Sequence, residues 1–139
     1  MGIAKKQFDK ILDEIFKTGN VIHLFSTMPN VSTEAGAVKI SGSGYSSYTI
    51  KDGDFNVTSG SVESRNNMMF YLCETEGGHG SAVGFGVFNS NNEMLYFGEF
   101  TDSMPIRYNT VPTIKRYNSS NGEGIKVTMT STEAAASAE

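Results

Sequence analysis

The side chains that would make a thiol–imidazole pair are the single cysteine, Cys73, and the two histidines, His23 and His79. A thiol and an imidazole form a nucleophile–base pair only when the fold brings them together. The sequence gives each a simpler role. Cys73 follows the apolar run Met68–Leu72 and reads as a small buried hydrophobe. His23 sits inside the apolar run Val21–Phe25 and reads as structural. His79, between Gly78 and Gly80, reads as a solvent-exposed loop residue without a catalytic task.

Metal and phosphate chemistry fare no better. The chain has no HExxH or CxxC spacing. Gly42-Ser43-Gly44 is too short for a nucleophile elbow. Gly77-Gly78-His79-Gly80 lacks the lysine and helix start that a phosphate cradle needs. Asp52 and Asp54 flank Gly53 and read as a polar turn, since a calcium-binding EF-hand spreads its ligands over a loop of about 12 residues. The expectation is therefore a non-enzymatic chain with no catalytic residue, cofactor or metal.

Aromatic side chains are the remaining means of recognition. Phe85, Phe88, Tyr96, Phe97 and Phe100 lie on strand-like segments and read as core rather than as a sugar-binding groove, and there is no tryptophan. Tyr45, Tyr48, Tyr108 and Tyr117 fall near turns and are candidate interface residues, because tyrosine is enriched at protein contacts. Phe8, Ile11 and Ile15 join them, from the apolar face of an amphipathic helix.

That helix is expected over 3–18, where Phe8, Ile11, Leu12, Ile15 and Phe16 recur at helical spacing. Lys6, Asp9, Lys10, Asp13, Glu14 and Lys17 take the other face. Gly19 suits the position just past the helix end. Strand signals follow at 21–25, 48–50, 55–58, 68–72, 83–88, 94–100 and 125–130, separated by Gly-, Asn- and Ser-rich turns. Residues 28–37 read as a loop, and 106–108 as an edge strand or part of a long loop. In Val83–Phe88 large residues alternate with glycine, leaving one face flat for a second backbone or the helix to approach. The expected fold is mainly β: a single sandwich or barrel-like domain over 1–132, with about seven to eight short strands and the N-terminal helix, and a polar tail at 133–139.

Charge narrows the range of partners. The net charge of −4 argues against nucleic acid and against anionic membranes. Lys115-Arg116 and Lys5-Lys6 are the only adjacent basic pairs. One cysteine suits folding in a reducing cytoplasm, and no apolar run reaches the roughly 18 residues of a membrane span. No export signal is read at the N-terminus.

The order of the segments resembles a family of short tailed-bacteriophage structural proteins, often labelled phage tail fibre proteins. The likeness is carried by Lys10–Phe16, Leu24–Pro29, Ser43-Gly44-Tyr45 with Ile50, the pair Val83–Phe88 and Met94–Phe100, and the alternating Ile125–Met129. It runs over roughly residues 8–130. The resemblance implies a virion component on the tail or head surface, made in the host cytoplasm, forming a homo-oligomer and binding other virion proteins. It implies no active site. The alternatives are a carbohydrate- or receptor-binding module meeting a cell-surface glycan, and a capsid decoration or head fibre protein.

Overall fold

In the computed structural model, which describes residues 4–129, the apolar helical stripe forms α1 (Lys5–Ile15). The expected helix start at residue 3, the last expected strand residue Thr130 and the polar tail at 133–139 lie outside the described residues. The helix stops sooner than its periodicity suggests. Phe16 caps it, its backbone N–H reaching Leu12 O. Gly19, at φ 97°, is therefore not the residue that ends the helix; its N–H instead meets Ile50 O. Phe8, Leu12 and Phe16, one per turn, are buried, whereas Ile11 remains 38% exposed. The apolar stripe is narrower than five residues.

The chain is mainly β, as expected, and among the described residues the strands number ten, more than the sequence announced. The extra ones are too short to show a period. The largest sheet contains β1 (Val21–Thr27), β2 (Val38–Lys39), β3 (Tyr48–Thr49), β7 (Ser81–Phe88) and β8 (Met94–Pro105). β7 takes one edge of β1; β2 and β3 share the other. All pairings are antiparallel, and β8 closes one side of the order β2-β1-β7-β8. A second sheet is built from β4 (Phe55–Thr58), β5 (Ser61–Ser64) and β10 (Lys126–Thr128), with β5 in the middle. β6 (Met68–Met69) and β9 (Thr113–Ile114) form a two-stranded ribbon. Backbone bonds from Phe70 to Pro112 and from Cys73 to Thr110 lengthen it past those two pairs.

The core lies between these layers. Ile22, Leu24, Phe85 and Val87 face inward from the large sheet and meet Val62, Met68, Ile106, Ile114 and Ile125. α1 packs on β4 and β5. Phe16 bridges the sheets, its ring 4.7 Å from Phe55 and 5.8 Å from Tyr96. The flat strip on β7 is filled partly as its sequence suggests. A methyl group at Gly86 would meet the Phe25 ring, and one at Gly84 would meet Met28 and Gly98 O. A backbone does approach at Gly84, where Gly98 O shares the space with the Met28 side chain; at Gly86 side chains fill it, and the helix does so at neither.

Candidate functional site

Ser64 is buried and draws three segments together. Its Oγ donates to Lys115 O at 3.0 Å and accepts from Ile125 N–H at 3.0 Å, and its carbonyl accepts from Tyr117 N–H. This seam sets residues 115–127 beside β8 and leaves a cleft of about 580 Å³ between them. Tyr96, Phe100 and Tyr117 line it, with Glu99, Asp102 and Lys126 among its polar residues. The Lys126 ammonium lies 5.3 Å from the Tyr117 ring centre. Such a mixture of flat rings and charged or hydrogen-bonding groups suits an extended polar ligand or an added strand.

The seven candidate interface residues do not converge. Phe8 is buried against Gly60, so it presents no surface to a partner. Tyr48 is also buried: its hydroxyl donates to Asp54 Oδ2 at 2.7 Å. Desolvation, then the Asp54 carboxylate, raise the Tyr48 pKa above the ordinary phenol value. Both residues are removed from the interface set for this reason. Ile15 is half-buried and Ile11 more open. Tyr108 remains 54% exposed, near Val111 and across the extended ribbon from Met69 and Leu72, which are also exposed. Tyr117 lines the cleft.

Tyr45 belongs to a network that the sequence did not signal. Its hydroxyl lies 3.3 Å from His23 Nδ1, and its ring meets Tyr71 edge-on at 5.2 Å. The Tyr71 hydroxyl is 2.7 Å from His79 Nδ1, and His79 Nε2 is 3.0 Å from Thr75 Oγ1. His79 is therefore half-buried and held at both ring nitrogens, contrary to the expected open loop position. Gly42 makes room for it, since a methyl group there would overlap the imidazole. Desolvation, followed by the Lys39 charge, lowers the His23 pKa to about 4. Burial pushes Tyr71 up to about 12, and it also raises Tyr45 against the opposing bond from Leu24 N–H.

Cys73 is fully buried, and its sulfur lies 3.9 Å from Thr75 O. With both nitrogens of His79 committed elsewhere, the two do not form a nucleophile–base pair. Asp54 accepts from Tyr48, from Lys51 N–H and from Asn66, so its carboxylate serves the turn. Among the described residues, no group of three or more His, Cys, Asp or Glu is placed to hold a metal ion, and no helix is long and apolar enough to cross a membrane.

Compared with protein-family models, with curated proteins and with solved structures, the chain matches none.

Proposed function

We propose that this chain is a non-enzymatic structural component of a tailed-bacteriophage particle, on the tail or the head surface, which assembles with copies of itself and with other virion proteins. The resemblance of its segment order to short phage structural proteins suggests the class. The observation that carries the reading is the open edge of β8. This strand runs for 12 residues and pairs only with β7 among the described residues. It lies along the eight residues of β7, with bulges in its register, a span of roughly 26 Å at about 3.3 Å per residue. An unpaired edge of that length offers a row of main-chain donors and acceptors to another chain. Repetition of one such contact under closed symmetry is the common route to a homo-oligomer.

Quantitative mass spectrometry of purified particles, scaled to the major capsid protein, tests the proposal. A copy number comparable with the capsid protein assigns the chain to head decoration, and a small fixed number assigns it to the tail or neck. Absence from the particle refutes the reading. A lysine at the edge, Thr101→Lys, is expected to shift the assembled species toward monomer in light scattering.

The cleft favours a second reading, a module for a cell-surface glycan. Tyr96, Phe100 and Tyr117 beside Glu99 and Asp102 supply stacking faces and hydrogen-bonding groups together. Glycan-array binding that disappears in Tyr117→Ala, and persists in Tyr45→Phe, supports it.

A further inference from the structure

The chain contains three arginines, and two of them, Arg65 and Arg116, line one shallow cavity of about 370 Å³. They are far apart in sequence and meet because residues 64–67 lie against 115–117. Gly53, Phe55, Asn56 and Asn66 complete the walls. No carboxylate lines this cavity, in a chain whose net charge is −4.

Two of the acids nearby are engaged. Asp54 points into the turn, where its carboxylate accepts from Tyr48, Lys51 N–H and Asn66. Glu123 pairs with Lys115 at 2.7 Å. Glu63 stands opposite Asn56 in the ladder and, with Glu123, lines the adjoining cavity, which Arg116 also borders. Neither Arg65 nor Arg116 is in an ion pair among the described residues.

Both arginines grow from fixed backbone. Arg65 N–H donates to Asp54 O at 2.7 Å, and Arg116 N–H donates to Asn67 Oδ1 at 2.9 Å. Asn66 Nδ2 is spent on Gly53 O at 3.1 Å and Asp54 Oδ1 at 3.2 Å, which holds the wall between them. The backbone that carries these two exposed arginines is thus fixed on both sides of one open space, and no carboxylate lines it. Guanidinium groups suit carboxylate and phosphate because their planar N–H forks make paired, charge-assisted bonds to oxyanions.

We propose that the cavity between Arg65 and Arg116 is a binding site for an oxyanion of the carboxylate or phosphate class, free or carried on a sugar. The site is separate from the β8 edge and does not depend on where the chain resides. Two arginines are too few for a nucleic-acid footprint, which needs a basic stripe.

The test is two-dimensional NMR of the full chain, titrated with inorganic phosphate, with galacturonate and with neutral galactose. The expected result is a saturable shift of the Arg65 and Arg116 side-chain Nε–H signals and the Asn66 amide, with one or both anions and not with galactose. Arg65→Lys and Arg116→Lys are each expected to weaken binding about tenfold or more. The double variant Arg65→Ser, Arg116→Ser is expected to abolish it. Saturation by phosphate alone indicates a phosphoryl ligand, and saturation by galacturonate alone an acidic sugar. Shifts that rise without saturating for both anions overturn the proposal. So does saturable binding that survives in the lysine variants unchanged, a comparison that holds even if the double variant does not fold.

Discussion

Asp9 Oδ1 accepts a hydrogen bond from the Gly60 backbone N–H at 2.6 Å, tying α1 to the turn between β4 and β5. Phe8 lies over the same glycine. At that turn Ser59 and Gly60 both adopt positive φ, at 50° and 81°, so a β-carbon at Gly60 is strained as well as crowded by the Phe8 ring. Asp9→Ala is therefore expected to cost about 1.5–3 kcal/mol, the range for hydrogen bonds to charged groups. Gly60→Ala is expected to cost at least as much. Urea denaturation of both variants checks this, and a loss under about 0.5 kcal/mol for Asp9→Ala, the scale of ordinary surface substitutions, counts against the clasp.

The helix stripe separates two substitutions that its periodicity treats alike. Phe16→Ala removes the ring between Phe55 and Tyr96 and is expected to cost about 3–5 kcal/mol. Ile11→Asp, at a position 38% exposed, is expected to change stability little in the monomer. If Ile11→Asp leaves monomer stability intact yet breaks an oligomer, Ile11 belongs to an interface. Melting and light scattering on the same samples distinguish the cases.

His23 gives stability a pH dependence with a definite sign. Its folded pKa is about 4, below the ordinary 6.5, so the unfolded chain takes up the proton more readily. The contribution is fully present above about pH 6.5 and is lost as pH falls toward 4, beyond which it falls no further. His23→Asn is expected to flatten this part of the profile of melting temperature against pH. An unchanged slope in that window refutes the assignment to His23.

Gly84 and Gly86 respond differently to enlargement. At Gly86 the obstacle is the Phe25 ring, a side chain, so Gly86→Ala is expected to be partly rescued by Phe25→Leu. At Gly84 the backbone oxygen of Gly98 also stands in the way, so Gly84→Ala is expected to cost about 1–3 kcal/mol with no rescue by Met28→Ala. Double-mutant cycles in urea measure both couplings.

Cys73 is expected to react with an aromatic disulfide reagent only as fast as the chain opens, because the thiol is fully buried. Rapid labelling of the native protein would contradict that burial.

Much of this architecture is visible in the sequence where a period runs long enough. β4, β7 and the first half of β8 coincide closely with their apolar patterns, and α1 occupies the middle of its stripe. β8 continues to Pro105 through Thr101-Asp102-Ser103, polar residues that are exposed there and so carry no hydrophobic signal. β2 and β9 have two residues apiece, and pairing rather than propensity defines them. β5, Ser61–Ser64, hides Val62 among polar neighbours, although it is the central strand of its sheet. The candidate sites were harder to read. Arg65 and Arg116, or Tyr71 and His79 with His23, are joined only by long-range pairing, which no local pattern encodes. Tyr48 and Tyr108 look alike in sequence, and only the buried Asp54 carboxylate separates the internal phenol from the exposed one.

The central place of β5 bears on the order in which the molecule can form. Its one neighbour, β4, is adjacent in the chain, but the other, β10, comes some sixty residues later. α1 precedes them all and docks on β4 and β5. During synthesis the helix thus emerges long before its seat is complete. A four-residue strand lined on one side only is a poor platform, and an isolated helix of 11 residues is marginal in water. Closure of the fold therefore waits for the segment around Ile125, whose backbone grips Ser64 from both directions. Such a chain is expected to acquire its helix late and cooperatively, on the slow time scale of distant strand pairing rather than the fast one of local helices.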